Sequence, residues 1–352
     1  MNILYLSTYS FQGPNSRYRI FQYLPYFGKN RLDVKVSPLF ENRYFEILKI
    51  KRKPVRIFLK SLYSIGRLAK RLKDLRDLKK FDLVVVERQV FPYLPPVIEF
   101  VMKLFGIDFV LEFDDAVYLT FLHRWKLEKL ISISKHIIVG NKFLQRYALQ
   151  FNSNVTIIPT VIDTSRYSKK DYSKVSDTTV IGWIGLAYNL HYLQSLAQVF
   201  QKLAQRFNIC LKIVGNGYFE IPGVKVIFKK WNHQDEVEDI KSFDIGVMPL
   251  EEDEWSMGKC GVKLIQYMGC GVAAVCSPVG VNRDIVTEGM NGFWAKDETE
   301  WEDKLSKLCS DVKLREKFGE NGMKMVKKYY SLKVWAPKLC NLYKRIGSNV
   351  SF

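Results

Sequence analysis

Two lysines four residues apart, Lys259 and Lys263, bracket a glycine-rich turn, Gly258 to Gly261, that runs into an apolar stretch of helical character from Val262 to Met268. Cations at a helix start oppose the helix dipole unless an anion lies beside them. The first-turn amides are free of intrahelical partners, so lysines and amides together make a receptor for a diphosphate. The plain alternative is a solvated lysine pair. Gln266, three residues beyond Lys263 on the same helix face, could hydrogen-bond a sugar hydroxyl. Gly185 and Gly215-Asn216-Gly217 adjoin the ends of apolar runs, where a missing Cβ allows close approach to a phosphate or base. Any strand-to-helix turn also favours glycine, so their weight lies in converging with Gly261 and Val262. No glycine loop ends in Gly-Lys-Ser/Thr, which disfavours nucleotide triphosphate hydrolysis. These residues point to a nucleotide-linked substrate.

Such a site needs strand ends to carry it, and the chain supplies two series. Ile3 to Leu6, Val34 to Val36, Leu83 to Val86, Phe109 to Phe113, Ile137 to Val139 and Val155 to Ile158 form the first. Val180 to Ile184, Ile209 to Val214, Val224 to Phe228, Ile245 to Met248, Val272 to Val275 and Gly292 to Trp294 form the second. Short Val/Ile-rich runs without alternation, separated by helical patterns, predict parallel strands buried on both faces. The expected fold class is α/β, two doubly wound Rossmann-like domains facing across a cleft, with ligands beyond the carboxyl ends of the strands. The polar stretch Asp163 to Thr178 reads as an interdomain linker. We place domains at residues 1–165 and 166–330, with residues 331–352 a helical end that could return to the first domain.

The first half carries most of the charge: residues 1–165 hold 27 Lys and Arg against 14 Asp and Glu, a net +13 of the chain's +18. Between Lys49 and Lys80, thirteen basic residues face only Asp74 and Asp77, which implies an anionic partner surface. All six cysteines fall in the second half, with no C-x-x-C pair and no histidine at metal-ligand spacing. They read as reduced thiols, and no metal site is expected. The start, Met-Asn-Ile-Leu-Tyr-Leu-Ser, has neither the basic nor the long apolar region of a signal peptide, which predicts a cytoplasmic protein.

From Val55 to Leu78 apolar residues keep helical spacing, with Arg56, Lys60, Arg67, Lys70, Arg71 and Lys73 elsewhere around the helix. A basic amphipathic helix can lie on anionic lipid; a solvated basic face over an ordinary core is the alternative. Nucleic acid is an unlikely partner, because no reader motif accompanies the charge.

After the first strand comes Gly13-Pro14-Asn15-Ser16-Arg17-Tyr18-Arg19. Arg17 or Arg19 could reach a donor diphosphate, or both could be exposed arginines at a helix start. Asp114 and Asp115 follow the Phe109 to Phe113 strand. One could cap the next helix while the other binds an acceptor hydroxyl or assists its deprotonation. Trp231 could flank a nucleobase or be a partly buried core residue.

Gly258 to Val275 resembles the signature of the donor domain of GT-B glycosyltransferases of family 4 (group 1), roughly E-G-F-G-x-x-x-x-E-A-M-A-x-G-x-P-V-V. Lys212 to Gly217, Phe243 to Leu250 and Gly289 to Phe293 match in the family's order, so the resemblance covers most of residues 179–295. The family's two glutamates fall at Gly258 and Gln266 here. Its phosphate-binding arginine is missing from Gly185-Leu186-Ala187-Tyr188-Asn189, where Lys259 or Lys263 would supply the charge. The resemblance implies transfer of a sugar from a nucleotide-sugar to a hydroxyl of a glycan or lipid-linked glycan, with retention, no metal and no cofactor beyond the co-substrate. With the basic helix it implies a peripheral enzyme on the inner face of a membrane, engaged in polysaccharide biosynthesis. A nucleotide-sugar epimerase or hydrolase on the same scaffold, and a non-catalytic docking protein, are the alternatives.

Overall fold

The computed structural model describes residues 1–92, 94–120, 123–173 and 176–348. Lys174 and Val175 of the expected linker, and residues 349–352 of the expected C-terminal segment, lie outside the described residues. The chain divides into two compact units, Met1–Thr160 with Trp335–Phe352, and Val161–Val334.

The first unit is a six-stranded parallel sheet in the order β2-β1-β3-β4-β5-β6. Its strands are β1 (Asn2–Tyr9), β2 (Asp33–Phe40), β3 (Leu83–Glu87), β4 (Phe109–Phe113), β5 (His136–Val139) and β6 (Val155–Ile157). Every residue of β3, β4 and β5 is buried, as uninterrupted apolar runs require. The second sheet runs β12-β11-β10-β7-β8-β9. It contains β7 (Thr179–Gly185), β8 (Ile209–Gly215), β9 (Lys225–Lys230), β10 (Ile245–Met248), β11 (Ala273–Cys276) and β12 (Gly292–Trp294). In both sheets the chain starts at an inner strand and reverses direction, the topological switch that leaves a crevice at the strand carboxyl ends.

The expected helical end, residues 331–352, holds the helix Leu332–Gly347, which follows a separate helix, Val312–Tyr329. Tyr330 and Ser331 separate the two, and Ser331 bridges to Ile162. The Leu332–Gly347 helix ends in the first unit, where Leu339, Cys340, Tyr343 and Ile346 are buried and Tyr343 packs on Phe27. All six cysteines are free thiols.

The basic stretch forms one helix, Lys53–Arg76, and here the structure corrects the membrane-facing assignment of two residues. Arg71 is 1% exposed and donates to the carbonyls of Ser37 and Ser7 at 3.0 and 2.8 Å. Arg67 donates to the Leu39 and Pro38 carbonyls, both at 2.6 Å, and to Glu41. Both guanidiniums satisfy carbonyls near the carboxyl end of β2, where no helix amide reaches. Arg56 donates to the Ile50 carbonyl, Lys60 lies over the Tyr44 ring, and Lys70 pairs with Glu41. Lys73 is exposed.

Candidate active site

In the second unit the site residues gather at the carboxyl ends of β7 and β8. Gly185 and Gly215 are register partners there, and a Cβ on Gly215 would lie 2.2 Å from the Gly185 carbonyl oxygen. Only glycine permits the two strand ends to close this tightly. Asn216 then accepts from the Ala187 amide at 2.7 Å, tying the loop after β8 to the loop after β7.

The Val262–Gly269 helix packs against β10 and β11, and Lys263 in its first turn reaches Gly185 at the end of β7. Gly261 is its N-cap at φ 67°, and a Cβ there would meet Ile285 at 2.3 Å, so backbone conformation and space both demand glycine. Behind the turn, Tyr267 is fully buried; its hydroxyl accepts from the Ile184 amide and donates to the Val247 carbonyl. The helix is thereby fixed to β7 and β10.

Lys263 and Lys259 project from this turn onto aromatic faces. The Lys263 ammonium lies 5.3 Å from the Trp183 ring, and its stem passes Gly185. Lys259 lies 5.5 and 5.6 Å from the Trp255 and Tyr192 rings, and donates to Asn189 Oδ1 at 3.4 Å. Ring faces attract a cation through their quadrupole, and these contacts position the two ammoniums. Trp183, Asn189, Tyr192 and Trp255 were missed in the sequence, because an aromatic near a lysine in space is not near it in the chain.

The structure places Gln266 differently from a residue on open surface. It is 4% exposed, and its Nε2 donates to the Tyr167 hydroxyl at 3.4 Å. Tyr167 continues to Glu236 at 3.3 Å, and Trp231 Nε1 donates to the other Glu236 oxygen at 2.8 Å. Trp231 is thus partly buried and anchored in an internal polar chain.

The first unit holds a second group of polar residues. Asp114 and Asp115, just beyond β4, meet Arg88, just beyond β3: Arg88 Nη2 donates to Asp115 at 2.7 Å and to Asp114 at 3.3 Å. Asn15 Nδ2 donates to the same two carboxylates at 2.7 and 3.2 Å. Neither aspartate caps the following helical turn, Val117–Leu119, whose N-cap is Ala116. Arg88 adopts φ 63°, and the Gln89 amide bonds back to the Glu87 carbonyl at 2.7 Å, a strained γ-turn. Burial opposes the Arg88 charge, but Asp115 and Asp114 outweigh it and hold its pKa above the ordinary arginine value.

Beneath this cluster, Glu87 accepts from the Thr8 amide and the Ser16 hydroxyl at 2.7 and 2.8 Å. Burial pushes its carboxyl up to about 7, against the lowering pull of Arg88 and these two bonds. Gly13 is the N-cap of the Pro14–Arg19 helix, which carries Asn15 and Ser16 into place. Arg17 and Arg19, read as exposed or reaching for a diphosphate, are both buried. Arg17 lies against the Phe11 and Tyr18 rings. Arg19 is consumed by an ion pair with Glu112 at 2.7 Å and the Ile158 carbonyl at 2.6 Å, because Glu112 is a buried charge that needs a partner.

The two parallel, doubly wound units are those of the GT-B fold. Residues 178–311, within the second unit, match the family model described as Glycosyl transferases group 1. No curated protein matches the sequence. Among solved structures the chain is similar to sucrose-phosphate synthase from Thermosynechococcus elongatus, with 12% identity and a TM-score of 0.73 over 99% of this chain and 100% of that one. It is similar also to Anabaena HepE in complex with UDP and glucose, with 14% identity and a TM-score of 0.74 over 98% and 99%. S. aureus TarM, in complex with fondaparinux, α-GlcNAc-glycerol and UDP, gives 15% identity and a TM-score of 0.57 over 76% of this chain and 58% of that one.

Proposed function

We propose that this glycosyltransferase, in the manner of family 4, moves a sugar from a nucleotide donor to a hydroxyl of a glycan or lipid-linked glycan, with retention and without metal or cofactor. We place it on the inner face of a membrane, in polysaccharide biosynthesis. The observation that carries the reading is the left-handed Gly261 turn, beside which the Lys263 stem passes Gly185 at the end of β7 and Lys259 donates to Asn189 just beyond it. Departure of a nucleoside diphosphate creates negative charge, and two ammoniums with a positive helix end stabilise it where it develops. The UDP complexes of HepE and TarM support a nucleotide-sugar donor, and the α-GlcNAc-glycerol of TarM supports a hydroxylated acceptor.

On the first unit, Asp114 and Asp115 are suited to orient an acceptor. Arg88 and Asn15 donate to both carboxylates and fix their orientation, with charge-assisted bonds from the guanidinium. Their role is therefore to grip hydroxyls.

The test is a panel of nucleotide-sugars with and without a membrane glycolipid extract, following nucleoside diphosphate release in the presence and absence of EDTA. Acceptor-dependent release from one donor supports a transferase. Release of free or isomerised sugar without acceptor means a hydrolase or epimerase, and failure to bind any donor means a docking protein.

A further inference from the structure

The Lys53–Arg76 helix is amphipathic with its sides reversed. Its polar residues Arg67, Arg71 and Asp74 turn inward to carbonyls and to Ser37, alongside Tyr63 and Leu68, which pack on the Leu39, Phe40 and Phe91 cluster. Its apolar residues Val55, Phe58, Leu62, Ile65 and Leu72 form an outward stripe, each between 43% and 67% exposed. Their spacing of three, four, three and seven keeps them on one edge of a helix about 36 Å long. The next helix of this layer, Val97–Leu104, repeats the arrangement. Glu99 and Met102 are buried, and Ile98 packs on the same cluster as Tyr63 and Leu68. Val97, Phe100, Val101, Leu104 and the following Phe105 are exposed, Leu104 to 85%. Both helices lie in crossovers that run the same way along the sheet, which puts them on one face of it.

Apolar stripes of this extent mark a surface that meets a partner. The charge around them selects it. Lys51, Arg52 and Lys53 precede the long helix, and Lys73, Arg76, Lys79 and Lys80 lie at its end, all exposed. Of the two acidic residues within this stretch, Asp74 bonds Ser37 and Asp77 pairs with Lys80. A second copy docked on this face would bring two basic rims together. An anionic bilayer would take the apolar edge among its acyl chains and the rim on its headgroups.

We propose that the outward edges of the Lys53–Arg76 and Val97–Leu104 helices are a membrane-insertion face, with Phe58, Leu62, Ile65 and Leu104 entering the acyl boundary of an anionic bilayer. This rests on the reading that the enzyme works at a membrane, and specifies that apolar insertion, not the basic residues alone, holds it there.

The experiment is co-sedimentation of the full chain with vesicles of phosphatidylcholine containing roughly one-third phosphatidylglycerol, which carry the negative surface potential that basic rims sense. The wild type should pellet, and the triple variant F58S/I65S/L104S, altered only at exposed positions, should lose at least about tenfold in partition. Its donor-dependent nucleotide release in solution should stay at the wild-type level. Equal pelleting of wild type and variant would overturn the insertion face while leaving the membrane reading in place; a wild type that binds no vesicle overturns both. A wild-type dimer that becomes a monomer in the variant, with pelleting unchanged, would make a second copy the occupant and overturn the proposal.

Discussion

Arg88 holds Asp115 at 2.7 Å from a backbone conformation that arginine rarely adopts, φ 63°. Left-handed backbone costs a residue with a Cβ about 1–2 kcal/mol, so the ion pair is maintained against local strain. Arg88→Ala should keep the strain and lose the clamp, whereas Arg88→Gly should lose both and unfold at a higher temperature than the alanine variant, the gap being about 1 kcal/mol. Both should lose acceptor-dependent turnover with donor binding unchanged. Thermal unfolding with a KM measurement for each substrate separates the two effects, and equal stability of the variants would count against strain at this turn.

Glu87 makes stability pH-dependent. Its carboxyl is raised to about 7 from the ordinary 4.5, chiefly by burial. Between those values the folded chain keeps a proton that the unfolded chain has released, so stability falls as pH rises from about 5 to about 7, by up to about 3 kcal/mol. Glu87→Gln keeps an oxygen for the Thr8 amide and the Ser16 hydroxyl but does not titrate, and its stability should stay level across that window. Urea unfolding at half-unit pH steps reads the slope; the same decline in the glutamine variant would assign it elsewhere.

Lys259→Ala and Lys263→Ala should each lower donor turnover by about 10- to 100-fold, the scale of losing one stabilising charge at a departing group. Neither lysine is part of the hydrophobic core, so the melting temperature should move little. Steady-state kinetics beside thermal unfolding makes the comparison, and wild-type rates in both variants would remove their phosphate role.

Arg71 and Lys73 are two residues apart with opposite expected effects. Burial lowers the Arg71 pKa to about 10, so it remains charged at neutral pH. Arg71→Met strands the Ser7 and Ser37 carbonyls and should cost about 2–4 kcal/mol. Lys73→Ala, on the exposed edge, should stay within about 0.5 kcal/mol of wild type. Denaturant midpoints of the two variants decide it.

The strands were legible because a parallel strand is a local property: three to six mostly apolar residues and a stop. The lysine-glycine turn was legible for the same reason, since Gly261, Lys259 and Lys263 are neighbours in the chain. Arg88 was not. Nothing in Glu87-Arg88-Gln89 marks a left-handed residue, and its partners lie 26 and 27 residues away. The long basic helix misled in a different way. Periodicity reports that apolar residues share a side, but not whether that side faces the sheet or the solvent. Arg71 went inward because unpaired carbonyls near the end of β2 needed donors, a demand set by tertiary structure alone. Gln266 was misplaced likewise, its inward partner Tyr167 being 99 residues away.

The first unit is built from two separated stretches of chain: Leu339 and Tyr343 are buried in a unit whose other members are residues 1–160. During translation that core lacks its closing helix until residues beyond Val334 are made, while residues 161–334 form a unit of their own. The later-made unit can therefore fold first, and the earlier-made unit waits, with its apolar surfaces open to chaperones, for the helix that closes it. A truncation just before Trp335 would injure the unit farthest from the cut in sequence.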